Sequence, residues 1–259
     1  MPSFEPVRSI QRGLMVLRAI SEHGAVNVTQ LVSLCKLPQP TIVRIVETLV
    51  DAGYVYRQAD EPTYKVTGHT LSLSRGYNLH DRLTEIARPI VHQLHIDIGW
   101  PSNLAVFDGD SMVIIYSNRA ALGLSIPGRI GARIPMVSTG VGLMTLASMS
   151  PDERKSALLR ARLAHKRWDD NPTLLAALPE KLEEARTRGY AFADENYLLE
   201  VYQSRIWAIA VPVETQSGEY VALSSLVLSI AGNPARMYKA ILPQLTAAAA
   251  KIGDLLRSE

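Results

Sequence analysis

Apolar residues recur at helical spacing through the N-terminal third of the chain, in short blocks that Gly or Pro separates. The pattern predicts three helices, at residues 9–21, 28–35 and 40–52. We expect Ser9 and Asn27 to cap the first two helices, because a side-chain oxygen at a helix start accepts a backbone N–H. Gly24 and Gly53 follow the first and third helices, where Gly commonly ends a helix.

Each predicted helix has apolar positions that we expect to form the core of a small domain. They are Ile10, Leu14, Leu17 and Ile20 in the first helix, Leu31, Val32 and Leu34 in the second, and Ile42, Ile45, Val46, Leu49 and Val50 in the third. Two strands follow, at residues 54–57 and 63–66, around a polar turn. Helix, helix, turn, helix and hairpin form the order of a winged helix-turn-helix domain.

The remainder of the chain mixes helical and strand-like patterns. Residues 69–99 are helical in pattern, in two pieces, and two strands follow at 103–107 and 112–116. A Gly-rich loop at 123–142 leads into a helix at 141–148. A short helix that starts at residue 151 and a longer helix at 174–188 follow. Apolar strands at 206–213 and 220–229 and a last helix at 234–256 complete an α+β chain.

The third predicted helix has short polar and basic residues near its start, which is where a recognition helix contacts base edges. Gln39, Thr41 and Arg44 lie away from the apolar positions of that helix, and Arg44 suits a guanine. We expect Arg57 and Lys65 of the hairpin to contact the DNA backbone. Ser9 and Arg12, at the start of the first helix, are placed to contact an adjacent phosphate.

The net charge of +2 is an average over two unlike parts of the chain. Residues 1–80 carry eight Lys and Arg against six acidic residues, whereas residues 81–259 balance at nineteen of each. The first part therefore holds the whole excess. Because affinity for DNA rises with the number of phosphates neutralised, a single copy would bind weakly, and we expect the chain to act as a homo-oligomer.

The composition narrows the class of protein. With 259 residues, 47% of them hydrophobic, the chain can bury substantial cores, which excludes a disordered or fibrous protein. Its one cysteine, Cys35, excludes an internal disulfide framework and a multi-cysteine zinc site. No signal pattern or membrane-length apolar run is found. We expect a soluble cytoplasmic protein without a membrane partner or cofactor.

A protein-interaction module and an enzyme are the two alternatives to a DNA-binding protein. A winged helix can serve as a protein-interaction module that does not bind DNA. For an enzyme, His92 and His95 have helical spacing but lack a third metal ligand in the pattern, and Ser138 and Ser204 lack a nucleophile-elbow motif. The sequence therefore predicts no catalytic residues and no enzymatic activity.

The chain resembles bacterial IclR-type transcriptional regulators over nearly its whole length. The resemblance is carried by residues 9–14, 37–49 and 53–55 in the first part, and by 131–136, 139–142, 188–190, 194–195 and 209–213 in the second. It implies a winged helix-turn-helix DNA-binding domain at 1–78, a linker helix at 79–99 and a GAF-like α/β effector-binding domain at 100–259. We expect dimers or tetramers, and dimers would bind a roughly palindromic site in double-stranded DNA.

Some positions depart from the family pattern. Pro40 and Val43 replace polar residues of the recognition segment, so that base readout falls to Gln39, Thr41 and Arg44, and Leu143 replaces a common lysine. The Trp100-Pro101 corner and residues 205–210 resemble a subgroup that activates operons for degrading aromatic acids such as hydroxyphenylpropionate. An aromatic acid is therefore the expected effector, with a repressor that responds to a short aliphatic keto acid as the alternative.

The resemblance also implies an effector pocket between the sheet and the Gly-rich loop. The residues carried over are Gly140, Val141, Asp194, Arg205, Trp207, Ser224 and Leu226. Alternation along strands puts Arg205 and Trp207 on one side of their strand, and Ser224 and Leu226 on one side of theirs, so that the two pairs can line one cavity. The alternative is that Trp207 belongs to the core and that Arg205 pairs with Glu195 or Asp194.

Overall fold

A computed structural model describes residues 5–74, 81–118, 130–203, 206–215, 218–232 and 234–257. The chain divides into two compact units, with the boundary between Leu79 and His80. The first unit contains helices and a small sheet, and the second is built on a larger sheet with helices on both faces. The predicted winged helix-turn-helix fold followed by an α/β domain is confirmed.

The first unit is formed by three helices and a three-stranded antiparallel sheet. The helices are α1 (Arg8–His23), α2 (Val28–Cys35) and α3 (Gln39–Asp51). The strands are β1 (Val26–Asn27), β2 (Val55–Arg57) and β3 (Thr63–Val66), in the order β1-β3-β2, and a 3₁₀ helix follows at Gly68–Ser74. Asn27 caps α2 as predicted, because its side chain accepts the N–H of Gln30 while the Gln30 side chain accepts the N–H of Asn27.

Two expectations for α1 are wrong. Ser9 is not the cap, since α1 starts one residue earlier and its N-cap, Val7, makes no side-chain hydrogen bond. Ile10 and Leu14 are 61% and 60% exposed rather than buried. The core of this unit takes only the second half of α1, through Val16, Ala19 and Ile20.

The rest of the predicted core of this unit is largely present. The buried residues are Leu31, Ile42, Val46 and Val55. Four half-buried residues pack against them: Leu17, Val32, Ile45 and Leu49. Leu34 and Val50 are exposed, contrary to expectation. Gly24 follows α1 and Gly53 follows α3, both with positive φ angles.

The second unit is organised by a six-stranded antiparallel sheet in the order β6-β5-β4-β9-β8-β7. Its strands are β4 (Ser102–Phe107), β5 (Met112–Ser117), β6 (Arg133–Ile134), β7 (Ala191–Phe192), β8 (Ile206–Val213) and β9 (Val221–Leu228). Its helices are α4 (Asp81–Ile98), α5 (Gly140–Ser148), α6 (Pro151–Ala164), α7 (Lys166–Asp169), α8 (Pro172–Arg188), α9 (Glu195–Tyr202) and α10 (Pro234–Arg257).

Helices cover the two faces of this sheet differently. α4 and α10 pack together on one face, over Leu104, Ile209 and Leu223. α5 packs on the other face, over the small side chains of Ala210 and Ala222, and α8 packs behind α5. The faces alternate along each strand, so neighbouring residues on β8 and β9 belong to different layers.

Two predicted segments differ in extent or kind. The first piece of the 69–99 segment is a 3₁₀ helix whose Leu71 and Leu73 are exposed, and the second piece is α4, whose packing on α10 assigns it to the second unit. The helix at Pro151 has fourteen residues instead of being short. A capping box between Ser150 and Glu153 starts this helix. The hydrogen bonds that the Glu153 carboxylate accepts from Ser150 and Tyr220 lower its pKa.

Candidate functional site

The recognition helix α3 has an exposed face that is separate from its core face. Ile42 and Val46 are buried, whereas Gln39 and Arg44 are exposed and Thr41 is half-buried. Pro40, Arg44 and Glu47 have i, i+4, i+7 spacing and lie together on the exposed face. Sequence reasoning missed Glu47, whose carboxylate is of the type that accepts a hydrogen bond from cytosine.

The hairpin of the first unit presents its two basic residues on opposite faces. Tyr56 pairs with Lys65 and Arg57 pairs with Tyr64, and directly paired residues of antiparallel strands point to the same side. Arg57 is exposed and Lys65 is half-buried. The two side chains therefore flank the hairpin instead of sharing one surface.

The start of α1 carries both polar and apolar exposed residues. Ser9 and Arg12 are exposed and one turn apart. Val7, Ile10 and Leu14 are exposed to 58%, 61% and 60%. An apolar row of this kind on a surface is typical of a contact with another protein surface.

A small cavity in the second unit lies between the sheet and the N-terminus of α5. Its walls include Gly140, Val141, Ser224 and Leu226, four of the predicted effector residues. The other walls come from Asn103, Ile114, Ile134, Thr139, Ala193, Tyr197, Leu198, Tyr202, Ile206, Ala208, Ile209 and Ala210. The cavity has a volume of about 40 Å³, which is less than the ~150 Å³ of a cavity that admits benzene.

Two glycines allow the start of α5 to approach its neighbours closely. A Cβ on Gly142 would lie 2.2 Å from the Met136 carbonyl oxygen, and a Cβ on Gly140 would lie 2.7 Å from that of Ala191. Thr139 caps the helix, since its Oγ1 accepts the N–H of Gly142. The N–H groups of Gly140 and Val141 are the first two of the helix and have no acceptor within it, so they give the cavity a positive end.

Asp169 holds the segment that precedes α5. This fully buried carboxylate accepts the N–H of Val137 at 2.7 Å and the N–H of Met136 at 3.1 Å. Burial raises the pKa of Asp169 above its ordinary value, although the two backbone hydrogen bonds and the nearby His165 oppose the increase. Asp169 thus positions the cavity loop without lining the cavity.

We expect the stability of the protein to depend on pH through Asp169. Because its pKa is higher in the folded state than in the unfolded state, its contribution is fully present below about pH 3.8 and falls as pH rises through the folded-state pKa. The unfolding free energy of the wild type relative to Asp169→Asn should therefore decrease from about pH 4 towards pH 7. Urea titrations across this range measure it, with the exposed neighbour Asp170→Asn as control; a difference that increases with pH would contradict the assignment.

Two predicted effector residues among the described ones, Asp194 and Trp207, do not line the cavity. Asp194 caps α9 by accepting the N–H groups of Asn196 and Tyr197, and its other oxygen accepts a hydrogen bond from Lys181 at 3.2 Å. Its carboxylate is therefore occupied in holding α8 and α9. Arg205 lies outside the described residues.

The predicted place of Trp207 in the cavity is wrong. Trp207 pairs with Val227, whereas Leu226 pairs with Ala208 and Ser224 with Ala210, so that Trp207 lies on the opposite face of the sheet. It is buried against Phe192 in the core shared with α4 and α10. This is the core position that the sequence offers as the alternative.

A Ser–His–Asp arrangement exists among the described residues but lacks nucleophilic geometry. Ser111 Oγ donates to Asp110 at 2.6 Å, so the His165 Nε2 atom 2.8 Å away acts as the donor to Ser111. Ser111 is also fully buried. His95, weighed as a metal ligand, bonds the Trp100 carbonyl through Nδ1, and no cluster of three metal-ligating side chains is found in the described part of the chain.

Comparison with known families fits this geometry. The IclR helix-turn-helix domain matches residues 9–59, and the bacterial transcriptional regulator IclR C-terminal domain matches residues 77–254. The second match alone covers more than half of the chain. The chain belongs to the IclR family. IclR-family members are DNA-binding transcriptional regulators, which confirms the predicted family and the transcriptional role.

Characterised IclR relatives include repressors. The chain is 28% identical to the transcriptional repressor IclR of Escherichia coli over 201 residues. The matched region covers 76% of this chain and 73% of that protein. It is 26% identical to the Pca regulon regulatory protein of Pseudomonas putida, over 83% of this chain and 72% of the relative.

Solved IclR structures share the fold over almost the entire chain. An IclR homologue of Microbacterium hydrocarbonoxydans in complex with 4-hydroxybenzoate has a TM-score of 0.68 at 21% identity, over 97% of this chain and 100% of that one. IclR of Thermotoga maritima has a TM-score of 0.65 at 21% identity, over 96% and 98%. Among the described residues, no helix has the length and apolar character needed to cross a membrane.

Proposed function

We propose that this IclR-family chain is a homo-oligomeric regulator of a catabolic operon whose second unit senses a small aromatic acid. The observation that carries the proposal is the cavity at the N-terminus of α5, where two backbone N–H groups meet a mostly apolar lining with Tyr197 and Tyr202. A helix N-terminus attracts a carboxylate, and aromatic and apolar walls accommodate a ring. The aromatic ligand of one IclR homologue supports the same class.

The size of the cavity requires a change of shape on binding. A ring does not fit into about 40 Å³, so walls must move when an aromatic acid enters. Tyr202 is half-buried at the end of α9, where the next residue, Gln203, has a positive φ of 54°. This helix end is therefore the part of the wall that we expect to rearrange.

A short aliphatic keto acid is the second candidate effector. The small volume of the cavity favours it, because such an acid needs less space than a ring. In this alternative the chain acts as a repressor, as the E. coli relative does. A thermal-shift screen of benzoates and of pyruvate separates the two, since the class that binds the folded protein raises its Tm.

For the DNA-binding unit, we propose that α3 reads bases and that its neighbours contact phosphates. Gln39, Thr41 and Arg44 are the base-reading residues, with Ser9, Arg12, Arg57 and Lys65 on the backbone. The exposed row on α1 supports self-association, and dimers imply a palindromic site in double-stranded DNA. Binding to a promoter fragment should weaken steeply with salt, whereas a protein-interaction module would show no such binding.

Regulation requires that the acid binds better to one arrangement of the DNA-binding units than to another. Only such a difference in affinity can shift the equilibrium between the arrangements. Gel-shift titrations with and without the effector that the thermal screen identifies measure this coupling directly. An effector that raises the Tm but leaves DNA affinity unchanged would contradict the regulatory role.

A further inference from the structure

A row of five paired residues crosses the sheet beneath the start of α5. The row runs from β5 to β7 as Ser117, Asn103, Ser224, Ala210 and Ala191. Each is the direct antiparallel partner of the next, so all five side chains belong to the same face of the sheet. The row is polar at one end and has only methyl side chains at the other.

The first residue of α5 lies over the alanine end of this row. A Cβ on Gly140 would be 3.2 Å from the Ala210 Cβ and 2.7 Å from the Ala191 carbonyl oxygen. Adjacent strands are about 4.8 Å apart, which places Ser224 one strand from Ala210 and Asn103 two strands away, at about 9.6 Å. Asn103, a polar group on the floor of the cavity, therefore lies about 9.6 Å along the row from the positive end at Gly140.

Asn103 is a buried amide whose side-chain oxygen lacks the partner that such an atom normally has. It is 4% exposed, it lines the cavity, and its Oδ1 atom makes no hydrogen bond. Buried polar atoms are nearly always bonded, because leaving them unpaired destabilises the fold. Asn118, a nearby buried amide, follows the rule: its Oδ1 accepts the Ser102 N–H at 2.7 Å and its Nδ2 donates to the Val91 carbonyl at 3.0 Å.

We propose that Asn103 is a specificity-determining residue of the effector cavity and hydrogen-bonds a hydroxyl group at the end of the acid remote from its carboxylate. The proposal rests on the proposed function of this cavity. With the carboxylate at the N–H groups of Gly140 and Val141, a hydroxyl that reaches Asn103 must be separated from it by a rigid spacer. A para-hydroxylated aromatic acid has this form, whereas a short keto acid does not reach both ends.

The test compares two acids that differ by a single hydroxyl. Calorimetric titration of the full-length protein with 4-hydroxybenzoate and with benzoate should show about tenfold or greater preference for the hydroxylated acid, because one buried hydrogen bond contributes on this scale. In Asn103→Leu this preference should disappear through weaker binding of 4-hydroxybenzoate, while benzoate binds as in the wild type or better. Asn103→Ala should lose the same preference.

Asn118→Leu is the matched control. It removes a buried amide of the same kind, but one that is fully bonded, so it should lower the Tm. Asn103→Leu removes a side-chain oxygen that has no partner, so it should lower the Tm much less than Asn118→Leu or leave it unchanged. A fall in Tm for Asn103→Leu equal to that of Asn118→Leu would assign Asn103 a structural role and overturn the proposal.

The remaining outcomes separate this proposal from the proposed function. If the wild type binds both benzoates equally, or if Asn103→Leu keeps the preference, the role of Asn103 is overturned and aromatic-acid sensing stands. If the wild type binds pyruvate and neither benzoate, aromatic-acid sensing fails and the role of Asn103 fails with it.

Discussion

Gly142→Ala is expected to destabilise the second unit by about 3 kcal/mol or more and to abolish effector binding. The added Cβ would lie 2.2 Å from the carbonyl oxygen of Met136 and 2.5 Å from its Cα. Both are backbone atoms, so relief requires either the loop before α5 or the first turn of α5 to move. Asp169 holds that loop through the N–H groups of Met136 and Val137, which opposes such a movement.

Urea unfolding of the full-length protein measures this effect, with circular dichroism as the signal. The matched control is Ser148→Ala, an exposed position at the other end of α5, which should change the unfolding free energy by less than about 0.5 kcal/mol. Equal stability of Gly142→Ala and the wild type would show that the loop and the helix are not in the close contact that forms the positive end of the cavity.

Alternation along β9 supports the grouping of Ser224 with Leu226 that the family resemblance implies, but alternation alone does not identify the wall that β8 contributes. Ser224 and Leu226 share a face of β9 and do line the cavity. For β8, alternation alone does not say which face meets α5, and a shift of one residue reverses every side chain. The choice is made by the small residues Ala208 and Ala210, which let α5 approach, and so Trp207 was assigned to the wrong face.

Asn103 was missed because it has no motif of its own. In the segment Ser102–Phe107 it follows Ser102 at the start of a strand whose other residues are apolar, a pattern that also fits a bonded structural amide. Only the pairing with Ser224 and the lack of a hydrogen-bond partner for its Oδ1 atom distinguish it from Asn118. The signal available in the sequence was the polar position itself, within a strand that the structure buries almost completely.

The misassigned half of α1 has a related cause. Helical spacing identifies an apolar face but not what covers it, and Ile10 and Leu14 continue the stripe of Ile20 beyond the edge of the core of this unit. In a sequence, apolar residues at regular helical spacing are as consistent with a subunit contact as with a core. The exposure of Ile10 and Leu14 in the folded unit excludes them from its core.

Arg44→Ala is expected to weaken binding to the operator by about 10–100-fold, because a bidentate contact to guanine contributes about 1–3 kcal/mol. Arg44 is exposed in the middle of the α3 face that also holds Pro40 and Glu47. Arg44 is the one basic residue of α3. It supplies this face with hydrogen-bond donors, which Pro40 does not have. Arg44→Lys keeps the charge but loses the planar fork, and should lose most of the same discrimination.

Fluorescence anisotropy with a labelled promoter fragment over a salt series tests the base-reading role of Arg44. The control is Arg18→Ala, an exposed arginine of α1 that pairs with Glu22 and that we do not place on DNA, for which affinity should stay within about twofold. A base contact predicts that Arg44→Ala relaxes the preference at one position of each half-site. If binding instead weakens equally on all sequences and the salt slope falls by about one, Arg44 contacts a phosphate, and base reading by α3 rests on Gln39, Thr41 and Glu47.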